Sequence, residues 1–148
     1  MRCGRALQRA AERIQREILV FTKPPFATPA QENVEGLQVA TGHVARSVYE
    51  LSAFDDAAFI AGVEEFLDAG EEARFVAHLP LKLVIIDESI VLLGMEDPVA
   101  RSVDLTLLVI EHPALAQILK IAFGAVWASG LAFQQARAQL EAQGARAG

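Results

Sequence analysis

The chain is 148 residues long and 53% apolar, with a formal net charge of −6, which is enough for one substantial core and too short for two ordinary domains. A charged fraction of 22% and a mean hydropathy of +0.30 exclude intrinsic disorder and predict apolar surface that a partner covers. The single cysteine, Cys3, excludes an intramolecular disulfide and a cysteine-paired zinc site, and no apolar run reaches the roughly 18 residues of a membrane helix.

The start of the chain carries arginines but no apolar stretch of the secretory type. A soluble, cytoplasmic protein without membrane contact is therefore expected. Residues 1–16 hold five arginines against Glu12, whereas residues 17–133 hold six Lys/Arg against seventeen Asp/Glu. Such a body repels nucleic acid, because duplex binders gather cations to displace counterions from phosphates.

Leu7, Ala10, Ala11, Ile14 and Ile18 recur at helical spacing, with Arg2, Arg5, Arg9, Arg13 and Arg16 on the opposite side. This predicts an amphipathic helix over residues 1–16, serving either as a linker or dimer helix or as a packing helix with a solvated charged face. Glu17–Thr22 reads as the first strand, stopped by Lys23-Pro24-Pro25. Residues 27–42 read as a loop at a strand end, where α/β folds place ligands. Val44–Leu51 is a second strand, and Asp55–Ala69 a helix with Gly70 as its stop.

Arg74–His78, Lys82–Ile86, Ile90–Gly94 and Leu105–Ile110 are short apolar runs of the kind buried on both faces, with Asp87-Glu88-Ser89 at hairpin distance. A last helix opens at Glu111 or His112, with Pro113 in its first turn and Gly130 as a possible interruption. Residues 134–148 have few anchors beyond Leu140 and read as a weakly helical or disordered tail. The order predicts an α/β sandwich, one domain over residues 17–133 with a mixed sheet flanked by helices.

Pro80, Lys82 and Asp87 have the spacing of the phospholipase D signature His-x-Lys-x-x-x-x-Asp, with proline in place of the histidine. Proline offers no nucleophile, which argues against phosphodiester cleavage. His78 lies two residues upstream, about 6.6 Å along a strand, too far for a simple substitute. Lys82 and Asp87 admit two readings: a strand start and a turn cap, or the remnant of a phosphate pocket now suited to a small polar or anionic ligand, with Lys23 beside it. His43, His78 and His112 lack metal-ligand spacing and read as structural, so neither a metal nor a cofactor is expected. The acidic pairs, Glu71-Glu72 among them, read as solvated faces and caps, and Trp127 as a core or dimer contact.

Arg16–Phe26 (REILVFTKPPF), Val48–Glu50 (VYE), Ala69–Val76 (AGEEARFV), Leu79–Asp87 (LPLKLVIID), Val91–Pro98 (VLLGMEDP) and Leu107–Trp127 together resemble the sensor domain of actinobacterial-type, TrmB and LuxR-like bacterial transcription regulators. The resemblance spans roughly residues 10–133. It implies a degenerate phospholipase D-like fold, a homodimer, and a small effector, with sugars the best-known ligands of the TrmB branch. It also implies DNA contact through a helix-turn-helix unit, for which the stretches before Arg5 and after Phe133 leave no room. The expectation is thus a non-enzymatic, effector-sensing and dimerising regulatory domain. The alternatives are a structural dimerisation module without ligand and a phosphodiesterase relative.

Overall fold

A computed structural model describes residues 16–24, 44–96 and 105–147. The helix expected over residues 1–16, all but Arg16 of it, the residue 27–42 loop, Cys3 and His43 lie outside those residues. Six strands form one sheet: β1 (Glu17–Thr22), β2 (Val44–Glu50), β3 (Glu72–Val76), β4 (Lys82–Ile86), β5 (Ile90–Glu96) and β6 (Leu105–Glu111). Their spatial order is β3-β2-β1-β4-β5-β6. β1, β2 and β3 pair in parallel, while β1–β4, β4–β5 and β5–β6 are antiparallel. The sheet is mixed, as expected, and helices flank it.

The parallel pair β2–β3 requires a crossover, supplied by a 3-10 turn at Leu51–Asp55 and helix α1 (Ala57–Asp68). Asp56 caps α1 by accepting from Phe59 N at 3.0 Å. At the other end Gly70 adopts φ +112°, Gly70 N donates to Leu67 O and Glu71 N to Phe66 O. This double return of N–H groups to the last turn is a Schellman stop.

Side chains alternate across the sheet. On one face Leu19, Phe21, Val48, Leu83, Ile85 and Val91 are buried beneath helix α2 (Pro113–Ser129), with Phe123 stacked on Phe21 at 5.2 Å. On the other, Ile18, Val20, Ala45, Ile86, Ile90 and Leu92 form one cluster. Tyr49, Ala73 and Phe75 form another with Ile60 and Val63 of α1. At about 2 kcal/mol for each large aliphatic or aromatic side chain removed from water, these rows supply the main drive for folding. Trp127 is half-buried beside Phe123, with the Arg74 and Arg46 guanidinium groups over its ring at 4.9 and 5.8 Å.

At the C-terminal end the structure agrees with the sequence at Gly130 and departs from it in the tail. The last helix is broken in two at Gly130, which caps α2 in extended conformation. A Cβ there would stand 2.7 Å from Arg74 Cβ, so only glycine lets the chain pass β3 this closely. Leu131 then exchanges both backbone hydrogen bonds with Phe75, each 2.8 Å, and closes the outer edge of β3. The expected weak tail is helix α3 (Phe133–Ala147), anchored by buried Phe133 and Ala136 and by an ion pair from Arg137 to Glu64. No helix among the described residues is long and apolar enough to cross a membrane.

Glu71, expected on a solvated face, is 4% exposed. The Schellman stop turns it inward, where Tyr49 Oη donates to its Oε1 at 2.6 Å and the Ser47 hydroxyl lies close by. Burial, the largest influence, pushes its pKa from 4.5 up to about 7, against the hydrogen bond from Tyr49. A carboxyl with a raised folded-state pKa favours the fold fully below about pH 4.5, and that advantage is lost as pH climbs through about 7. Glu71→Gln is therefore expected to be near wild type in urea denaturation at pH 5 and more stable at pH 8, by up to about 3 kcal/mol. A variant less stable at pH 8 would contradict this.

Candidate functional site

Three parallel strands end on the same side of the sheet, at Thr22, Glu50 and Val76, and β4 begins there at Lys82. Lys23 is half-buried immediately after β1. Lys82 lies one step beyond the Phe21–Leu83 pair of the β1–β4 ladder, beside Thr22, and directly opposite Gly94 of β5. A Cβ on Gly94 would stand 3.2 Å from Lys82 Cβ and 3.7 Å from its Cδ. The glycine thus makes room for the lysine stem to lie across β5.

Asp87 is not brought to this end. It sits past the far end of β4, roughly 16 Å from Lys82 at about 3.3 Å per strand residue. Asp87 and Glu88 hold φ of 49° and 56°, the left-handed pair of a tight hairpin turn, closed by Ser89 N donating to Ile86 O. Asp87 Oδ1 accepts from Arg16 N and Glu17 N, both at 2.9 Å. Glu88 and Glu17 in turn bind Lys120 Nζ of α2 at 2.6 and 2.8 Å. The spacing that suggested a site therefore joins one residue at the ligand-bearing end of the sheet to one that ties β1 to the β4–β5 turn.

Nothing in the spacing of residues points to the pair His78 and Glu50. Glu50 closes β2 and is buried; its Oε2 accepts from Leu79 N at 2.6 Å and lies 3.3 Å from His78 Nδ1. The His78 side chain is 77% exposed. A carboxylate beside Nδ1 leaves Nε2 as the ring nitrogen away from Glu50. His78 does not continue β3, which ends at Val76, so distances reckoned along an extended strand do not apply to it. Glu50 extends the row of Phe21 and Val48, and Lys82 the row of Tyr49, so the pair and Lys82 flank the strand ends from opposite faces. His112 is structural: it caps α2, its Nδ1 accepting from Ala114 N. Among the described residues no cluster of His, Cys, Asp and Glu is arranged to hold a metal. Clefts lined by Phe54, Ile60, Glu64 and Arg137, or by Glu72, Arg74 and Phe133, lie between α1 and α3, away from Lys82.

The mixed six-stranded sheet with helices on both faces is phospholipase D-like in fold, by its similarity to solved structures. No protein-family model and no curated protein sequence matches the chain. Among solved structures it is similar to TrmBL2, an archaeal chromatin protein with a novel mode of DNA binding (TM-score 0.69, 19% identity, 86% of this chain and 49% of that one). It is also similar to the phospholipase D family member Nuc from Salmonella typhimurium (TM-score 0.68, 17% identity, 86% and 88%). A third similar structure is phosphatidylserine synthase from Haemophilus influenzae Rd KW20 (TM-score 0.64, 14% identity, 90% and 37%). The chain thus spans about half the length of TrmBL2.

These likenesses correct the expectation that the chain is no enzyme. Its fold is shared with a synthase and a phospholipase D family member. The argument from Pro80 concerned a single position, whereas His78 places an imidazole 3.3 Å from the Glu50 carboxylate at the same sheet end.

The two ends of β4 predict opposite responses to mutation. Asp87→Ala leaves two backbone donors without their acceptor and is expected to cost about 1–3 kcal/mol in chemical denaturation. Lys82→Ala is expected to stay within about 0.5 kcal/mol of wild type. Equal losses for the two variants would contradict this division.

Proposed function

We propose that the chain is the ligand-binding regulatory domain of a TrmB-like transcription regulator. It holds a small anionic or polar effector, such as a phosphorylated sugar, at the strand ends between Lys23 and Lys82. The observation that carries this reading is the arrival of two lysines at the carboxyl ends of the parallel strands, the place where open α/β sheets take ligands. Lysine is a point charge suited to phosphate or carboxylate oxygens. On this reading DNA contact belongs to a helix-turn-helix unit joined to the domain, since residues 17–133 carry an acidic excess, and the domain works in the cytoplasm.

The His78–Glu50 pair favours a second reading, phosphodiester chemistry with His78 Nε2 as the attacking or proton-accepting atom. One experiment separates the two. Glucose 6-phosphate and inorganic phosphate are titrated into the protein by calorimetry and thermal shift, and bis(p-nitrophenyl) phosphate is offered as a substrate. The regulatory reading expects saturable stabilisation, about 2.7 kcal/mol at a hundredfold excess over Kd, weakened at least about tenfold in Lys82→Ala. Binding untouched by Lys82→Ala and Lys23→Ala would sink it. Turnover that disappears in His78→Ala would establish the second reading.

A further inference from the structure

Glu71 is buried at the joint where α1 hands the chain to β3, and among the described residues no ion pair reaches it. From β2 it is met by Tyr49 Oη at 2.6 Å and by the Ser47 hydroxyl, with the tyrosine ring packed on Phe59 and Phe75. From α1 it meets main chain. Glu71 N donates to Phe66 O at 3.0 Å, which places the residue at the negative end of the helix dipole, where added negative charge is disfavoured. The described charged groups around the joint are committed elsewhere: Glu72 pairs with Arg46 and Glu64 with Arg137 of α3, while Glu65 and Asp68 are exposed. A neutral carboxyl suits this site and a carboxylate does not.

We propose that Glu71 is a proton-operated latch on the α1–β3 joint: protonated, it holds the joint shut against Tyr49, and ionised, it swings out to water and undoes the Schellman stop while the sheet stays folded. Gly70 is the hinge. Its φ of +112° needs glycine, yet nothing lies within 4 Å of where a Cβ would stand, so the backbone can turn there without collision. The joint itself is closed by Ala69 N on Glu65 O, Gly70 N on Leu67 O and Glu71 N on Phe66 O. Beyond it β3 is retained by its ladder with β2 from Glu72 to Val76 and by the Phe75–Leu131 bridge, so the opening stops at the joint. The carboxyl titrates at about 7 in the closed joint, chiefly through burial, against 4.5 for a solvated glutamate. The open form therefore gains on the closed one as pH rises from about 4.5 to about 7, by roughly tenfold to a hundredfold between pH 5 and pH 8.

Tyr49 is the chain's one tyrosine, so the latch can be watched by near-ultraviolet absorbance. The full chain is titrated from about pH 5 to about pH 9, below the range in which tyrosine itself ionises, with far-ultraviolet circular dichroism followed in parallel. Wild type is expected to show a one-proton tyrosine transition with its midpoint near 7 at constant dichroism, and Glu71→Gln to show none. Hydrogen exchange, corrected for the intrinsic effect of pH, is expected to find the Gly70 and Glu71 amides roughly tenfold to a hundredfold less protected at pH 8 than at pH 5. That loss is expected to be insensitive to low urea, since a local opening exposes little surface, and to be absent in Glu71→Gln. In Tyr49→Phe, read through the same amides, the midpoint is expected to rise, because the tyrosine hydrogen bond favours the carboxylate. No tyrosine transition in wild type, the same transition in Glu71→Gln, dichroism lost together with the tyrosine signal, amides no less protected at pH 8, or a midpoint that fails to rise in Tyr49→Phe would each overturn the proposal.

Discussion

β1 is hydrogen-bonded along both edges, and its neighbours run in opposite senses, β2 parallel to it and β4 antiparallel. Five of its six residues are buried, so it can neither slip by one register nor turn over without moving charged neighbours into the core. The parallel half of the sheet, with its obligatory helical crossover, and the antiparallel half, with its tight hairpin, are both indexed on this strand. Asp87 fixes its starting end by accepting from Arg16 N and Glu17 N. Its other end, at Thr22, therefore comes out beside Lys82 rather than one residue away.

This indexing explains how a signature can survive in spacing while its parts have separate duties. Asp87 tolerates a left-handed backbone better than most residues, because its short carboxylate bonds to nearby main-chain groups. Glu88, next to it, has no such intrinsic preference; its φ of 56° is what the two-residue turn closed by Ser89 N and Ile86 O requires, and its side chain meets Lys120. The turn, the start of β1 and the first half of α2 thus form one polar clasp. At the opposite end of the same strands Thr22 and Glu50 are buried while Lys23 and Lys82 are half-buried, and that is where a ligand can be met without dismantling the clasp.

Much of the architecture was legible in the sequence because burial on both faces leaves contiguous Val, Ile and Leu runs, and because Gly70, Pro113 and the Asp87–Ser89 triplet punctuate them. The mixed sheet follows from those runs and their order, and the phospholipase D-like fold was implied by the resemblance that segments such as Leu79–Asp87 carry. What was not legible depended on contacts across the chain. The start of β3 at Glu72 was hidden by two charged residues, and Glu71 looks solvated until Tyr49 and the Schellman stop are placed around it. The helical order of Phe133–Ala147 is written in Phe133 and Ala136 alone, too few anchors to recognise before β3 and α1 supply their surface. Of the candidate site, Lys82 and Lys23 were visible and do come to one sheet end, whereas Asp87 serves the other. His78 and Glu50 are 28 positions apart and share no motif, so only the closing of β2 against the β3–β4 connection brings them together.

The bridge between Leu131 and Phe75 gives the sheet a direction. At the β3 border both backbone bonding positions of Phe75 are taken and α3 is folded over it, while among the described residues β6 stands at the other border with Leu108 and Val109 open to solvent. The sheet has, in effect, a valence of one. Among the described residues, a further strand meets a bridged main chain at Phe75 on the β3 side and an unbridged one along β6.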